Sequence, residues 1–177
     1  VNNWEAISGI LVDIAKRLES AGAECIILCT NTMHTISHDI IQNTCIPFIH
    51  ITNSVGEEII KSGLNRIALL GTKYTMESNF YKDILSKEYD IEVMIPPKPD
   101  IEFINDVIFN ELVKGIVSKI SRTRFIEIIH SLQDKGAQGV ILGCTEIPIL
   151  ISSDDIQIKV FDTTTIHAYK AVDFALS

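Results

Sequence analysis

Two stretches of this chain repeat one another without a gap. Gly22-Ala23-Glu24-Cys25-Ile26-Ile27-Leu28-Cys29-Thr30 lines up on Gly136-Ala137-Gln138-Gly139-Val140-Ile141-Leu142-Gly143-Cys144. Each copy follows an amphipathic helical pattern, opens on a glycine that stops it, and runs through a short apolar strand into a polar turn. Downstream, Ile49-His50-Ile51-Thr52 matches Phe161-Asp162-Thr163-Thr164, a strand leading into a helix in both. A duplication of this kind predicts two pseudo-symmetric lobes with a site between them.

The remaining pattern gives the class of each lobe. Helical periodicity covers Trp4 to Ala21, with Ile7, Ile10, Leu11, Ile14 and Leu18 on one face. It returns at Met76 to Lys87, Ile101 to Ile120, Arg124 to Lys135 and Ile166 to Leu176. Between these lie short apolar runs at Glu24 to Cys29, Pro47 to Thr52, Arg66 to Leu70, Ile91 to Ile95, Val140 to Leu142 and Ile158 to Phe161. Such runs read as strands buried on both faces. The alternation predicts an α/β protein, each lobe a mostly parallel sheet flanked by helices. Residues 1–62 plus 160–177 are expected to form the first lobe and residues 63–159 the second. Pro96, Pro97 and Pro99 are expected to make a rigid, exposed connection.

Composition narrows the partners. The net charge of −8, with Lys and Arg scattered rather than striped, argues against nucleic acid. No apolar run approaches the roughly 18 residues that span a bilayer, and no secretory leader is visible, so a cytoplasmic protein is expected. The four cysteines show no disulfide spacing and are expected to be reduced, with Cys25, Cys29 and Cys45 in the core.

The duplication pairs Thr30 with Cys144, each at the carboxyl end of a central strand, where open parallel sheets bind ligands. In Gly143-Cys144-Thr145-Glu146, Gly143 would allow a tight turn or close approach to a ligand. A helix starting just after Cys144 would leave backbone N–H groups free to favour its thiolate. Asn31 and Thr32 form the matching turn. Thr72 and Thr75 open another helix. Side chains of this kind cap helices, and the free N–H groups beside them also bind carboxylates. Glu146 is expected to cap its helix, with the substrate ammonium as the alternative. His34 and His38 share the spacing of a metal pair, but no HExxH pattern accompanies them and no metal site is expected.

These residues carry a resemblance. Cys29-Thr30-Asn31-Thr32-Met33-His34 and Gly143-Cys144-Thr145-Glu146-Ile147 resemble the two signature turns of the aspartate/glutamate racemase family. Leu70-Gly71-Thr72, Phe80-Tyr81, Asn110-Glu111-Leu112 and Phe161-Asp162-Thr163-Thr164 extend the likeness along the chain. The resemblance implies racemisation of an acidic amino acid without pyridoxal phosphate or any other cofactor, in a homodimer. It also implies an upstream strand region, so that the first lobe is incomplete here. The usual first turn reads Cys-Asn-Thr-x-His; aligning Asn31, Thr32 and His34 puts Thr30 at the first catalytic cysteine. Strand alternation would turn Cys29 toward the helices.

The implied site is asymmetric. Cys144 is the thiol acid/base on one face of Cα, and Thr30 or a water serves the other poorly, because a hydroxyl scarcely ionises near neutral pH. In the family's usual geometry the second cysteine favours the L antipode. Asn31, Thr32, Thr72, Thr75, Thr145 and Glu146 are the expected substrate contacts. Two rival readings stand beside this one: a related decarboxylase with a single thiol, and an inactive, truncated amino-acid-binding protein.

Overall fold

The computed structural model of the protein describes residues 3–177. The first part of the chain forms α1 (Trp4–Ser20), β1 (Ile26–Ile27), a 3₁₀ turn (Thr32–Ile36), α2 (Ser37–Asn43), β2 (Phe48–Ile49) and α3 (Ile51–Lys61). The second forms β3 (Arg66–Gly71), α4 (Lys73–Glu77), α5 (Asn79–Tyr89), β4 (Glu92–Met94) and α6 (Lys98–Asn110). A 3₁₀ turn (Leu112–Lys114), α7 (Lys119–Asp134), β5 (Gly139–Gly143), α8 (Ile147–Leu150), β6 (Lys159–Asp162) and α9 (Thr163–Leu176) follow. The described strands make two parallel sheets, ordered β1-β2 and β4-β3-β5-β6. This is the expected α/β architecture with helix-flanked parallel sheets.

The duplication is visible in the hydrogen-bond register. Ile26 and Ile27 pair with Phe48 and Ile49; their counterparts Val140 and Ile141 pair with Val160 and Phe161. Gly22 and Gly136 both end a helix at positive φ, +94° and +101°, a conformation that a Cβ would strain. The helix caps repeat too. His50 Nδ1 accepts from the Thr52 N–H, and Asp162 Oδ1 accepts from the Thr164 N–H.

The two lobes differ in what covers them. Both faces of the four-stranded sheet are buried: Ala68, Leu70, Val140 and Leu142 face one apolar cluster, and Ile67, Leu69, Ile141 and Phe161 face another. The first lobe gathers only Val12, Ala15, Ile26, Ile36 and Ile40. Here the sequence expectations fail. Glu24 to Cys29 contributes a two-residue strand, not a long one buried on both faces, and Ile27 is exposed. No described strand does for β1 what β3 does for β5.

The same gap explains α1. Ile14 and Leu18 are 44% and 48% exposed, whereas their counterparts Ile128 and Leu132 are 1% and 2% exposed. In the second lobe β3 and α6 pack against that face. In the first, α1 instead buries Ser8, Val12 and Ala15.

Three smaller differences have local causes. The helix expected from Met76 to Lys87 breaks at Ser78, which is extended (ψ 157°) and divides α4 from α5. The helix expected to reach Ile120 stops at Asn110, and the following 3₁₀ turn ends at Gly115 in the left-handed region. Pro97 caps α6 and Pro99 sits in its first turn, where a missing N–H costs nothing; Pro96 is buried. The expected lobe boundary also shifts, because Lys159–Asp162 pairs with β5 and so belongs to the larger sheet. Helix α9 then crosses back to pack on α3. No helix among the described residues is long and apolar enough to cross a membrane.

Candidate active site

The carboxyl ends of β1 and β5 open on one cavity of about 370 Å³. Cys29, Thr30, Asn31, Thr32 and Met33 line it from the first lobe; Gly143, Cys144, Thr145 and Glu146 line it from the second. Thr72 adds a third wall, and Ile108, Phe109 and Val113 a fourth, apolar one. Six residues expected at the site from the first and second turns therefore share it, together with Thr72. Thr75 does not line it. It is fully buried beneath, its hydroxyl 3.0 Å from Thr72 Oγ1 and 3.4 Å from Thr32 Oγ1. A groove of about 460 Å³ between α3, β6 and α9 is larger but contains none of these groups.

Cys29 is exposed and shares the cavity with Thr30, against the expectation that it faces the helices. The ladder ends at Ile27, and the Thr30 N–H donates to Leu28 O at 2.7 Å. That tight turn takes residues 28–30 out of the strand, so strand alternation no longer applies. Cys45 is exposed and Cys25 half-buried, so none of the three is a core residue. Gly143 is no turn residue: it is buried in β5, where a Cβ would come within 3.0 Å of Leu69 Cδ1 and 3.1 Å of Leu70 O.

The thiol at Cys144 is buried, and Sγ–H donates to Glu146 Oε2 at 2.9 Å. Thr145 Oγ1 donates to the same oxygen at 2.8 Å. Burial pushes the thiol pKa up to about 12, and the Glu146 carboxylate adds to the effect. The Glu146 and Thr145 backbone N–H groups pull the other way without prevailing. The expected helix start behind Cys144 is absent, since α8 begins only at Ile147. Cys144 is consequently held as a neutral thiol that donates to an ionised carboxylate. Glu146 makes no cap bond with its side chain. Burial alone would raise its pKa, but donation from Cys144 and Thr145 holds the carboxyl below its usual range. Glu146→Gln should therefore lower the Cys144 pKa by about one unit or more. Iodoacetamide alkylation followed against pH, peptide by peptide to separate Cys29 and Cys45, checks this; an unmoved or higher pKa contradicts it.

Under Thr30 lies a cluster of three imidazoles. The His34 ring centroid is 4.6 Å from that of His50 and 5.6 Å from that of His167. His34 Nδ1–H donates to Thr30 O at 2.7 Å, while Nε2 accepts from the Ile51 N–H at 3.2 Å. Both ring nitrogens are thus engaged, which leaves none for a metal. His167 Nε2 donates to Ile49 O at 2.7 Å. Burial lowers the His34 pKa from 6.5 to about 3 and the His50 pKa from 6.5 to about 4, with neighbouring imidazoles adding to both.

The unfolded chain binds protons that the native state excludes, so this stability is complete above pH 6.5 and is lost as pH falls toward 3. By pH 5 the loss through His34 amounts to roughly 2 kcal/mol. Thermal unfolding at pH 7, 6 and 5 should show a falling Tm; a Tm constant over that interval contradicts the assignment.

Comparison with other proteins places these features in context. The sequence profile of the Asp/Glu/Hydantoin racemase family matches residues 2–171. A crystal structure from Yersinia pestis, assigned to the Asp/Glu racemases, superposes with a TM-score of 0.95 at 42% identity, covering 99% of this chain and 76% of that one. An aspartate racemase homologue from Pyrococcus horikoshii OT3 gives a TM-score of 0.91 at 37% identity, with the same coverage. A glutamate racemase of Persephonella marina is 29% identical over 82% of this chain and 55% of its own length. The chain thus spans about half the length of that relative.

Proposed function

The chain belongs to the Asp/Glu/Hydantoin racemase family, and on that premise we propose that it carries the proton-exchange site of a cofactor-independent racemase for an acidic amino acid. The observation that carries the reading is the shared cavity: Thr30 and Cys144, paired by the duplication, line it from opposite lobes. A racemase needs an acid and a base on opposite faces of Cα, and this arrangement supplies one group to each.

In the small fraction of sites where Cys144 has released its proton to solvent by way of Glu146, the thiolate removes the Cα proton on its own face. The resulting carbanion is protonated on the other face by the Thr30 hydroxyl or by a water beside it, which solvent re-protonates. On the first face, the thiol simply returns its proton. The carbanion's charge rests on the substrate α-carboxylate, held by fixed donors. Thr32, Thr72 and Thr145 are at the cavity wall for that purpose. The names of the relatives support aspartate or glutamate as substrate. Lys114 is one residue from the cavity-lining Val113, exposed, with its ammonium donating to Asn110 Oδ1 at 3.4 Å; it is the candidate partner of a side-chain carboxylate. A homodimer belongs to the same reading, with the exposed Phe109, Val113, Ile116, Val117 and Ile120 as the candidate surface.

One observation favours a second reading. A single high-pKa thiol also suits protonation of a carbanion from one side, as in a decarboxylase. Incubation in D₂O with L- and D-aspartate and glutamate, beside an arylmalonate, separates the two. Cα deuteration of the amino acids supports racemase chemistry; loss of CO₂ from the malonate without Cα deuteration overturns it.

A further inference from the structure

A proton-exchange pair needs its two groups in a defined geometry about Cα, and a buried chain of hydrogen bonds runs between the two turns. Tyr81, on α5, is completely buried, and its hydroxyl donates to Asn31 Oδ1 at 2.5 Å. Asn31 Nδ2 donates to Thr163 Oγ1 at 3.1 Å, and Thr163 Oγ1 donates to Leu142 O at 2.9 Å. Asn31 and Thr163 are 4% and 0% exposed. The chain thus starts in the second lobe, passes through the residue after Thr30, and ends on the carbonyl two residues before Cys144.

Each link is constrained from both sides. Asn31 uses its carbonyl oxygen and one N–H in the chain, so its amide is fixed in rotation as well as position. Tyr81 is anchored in the cluster of Ile67, Leu69, Leu85 and Phe161. Burial holds its phenol well above the ordinary range, so it remains a donor at every working pH. Thr163 opens α9 and has no freedom to leave, since Asp162 caps that helix through the Thr164 and Thr165 N–H groups.

We infer that Tyr81 and Thr163 are positioning residues of the proton-exchange site: with Asn31 they form a strut that sets the separation of Thr30 from Cys144. The inference rests on the catalytic reading above and gives Asn31, which also lines the cavity, a place in the strut. Small misplacements matter at such a site, because an error of about 1 Å in the reacting geometry costs on the order of 10²-fold in rate.

The test uses Tyr81→Phe and Thr163→Val, which remove one hydroxyl each, and Thr163→Ser, which keeps it. Two readouts are taken from the purified protein: amide hydrogen exchange, and Cα deuteration of aspartate. In Tyr81→Phe and Thr163→Val, amides of residues 30–33 and 142–145 should exchange at least about tenfold faster while those of α7 hold their protection. In the same variants kcat should fall about tenfold or more with KM within about twofold. Thr163→Ser should match the parent in both readouts. Unchanged protection at the two turns overturns the strut, as does faster exchange spread evenly to α7. Loosened turns with kcat unaltered overturn the positioning role. A parent that shows no Cα deuteration while the variants loosen those turns alone supports the strut and defeats the catalytic reading separately.

Discussion

Cys144→Ala should abolish Cα proton exchange, with a loss of about 10³-fold or more. Positioned acid–base groups contribute about 10²- to 10⁴-fold, and this thiol is proposed to serve the face of Cα that Thr30 cannot reach. The substitution is mild for the fold. It removes one sulfur from the edge of a cluster that includes Leu142, Ile147 and Leu150, and should leave the chain folded. Cys144→Ser separates chemistry from packing further, because it keeps shape and hydrogen bonding to Glu146 while replacing a thiol by a group that hardly ionises. Both variants should be inactive in an NMR assay of the Cα–H signal in D₂O. Activity within about tenfold of the parent in either would place the acid/base elsewhere in the cavity.

Thr30→Cys should raise net racemisation, by about tenfold or more, because it supplies an ionisable group on the face where exchange is slowest. The backbone will accept the change. Thr30 is tied through its N–H to Leu28 and through its carbonyl to His34, bonds that do not involve its side chain. The exposed thiol of Cys29 next to it is a ready confounder. Cys29→Ser should leave parent activity unchanged, and the gain from Thr30→Cys should survive in the double variant. Polarimetry of aspartate over time reads both. No gain from Thr30→Cys would mean that the hydroxyl does not face Cα opposite Cys144.

Much of this was legible in the sequence because a repeat carries geometry with it. Aligning Ile27 with Ile141 and Ile49 with Phe161 amounts to stating a strand register, and the two sheets have that register. The pairing of Thr30 with Cys144 came from the same alignment, and both residues line one cavity. The exposure of the α1 face is not legible in the sequence, for a physical reason. Helical periodicity reports which side chains are apolar, not what covers them, and Ile10, Ile14 and Leu18 have no described neighbour in the role that β3 and α6 play for α7.

Cys29 departs from the expected orientation because alternation holds only inside a ladder, and the ladder stops at Ile27. Glu146 looked like a cap because it precedes a helix. Nothing local in the sequence distinguishes a carboxylate that caps from one that turns back on a thiol two residues earlier. The sequence shows Tyr81 and Thr163 only as parts of motifs. Their bonds reach 50 and 132 positions along the chain to Asn31, and separations of that size leave no pattern in a single sequence.

The most direct measurement follows Cα deuteration of L-aspartate and of D-aspartate separately, in D₂O, with the unaltered protein. Exchange from the L antipode should outrun exchange from the D antipode by about tenfold or more, since a thiol serves one face and a hydroxyl or water the other. Equal rates from the two antipodes would mean that equivalent groups flank Cα, and would contradict a site built from Cys144 and Thr30.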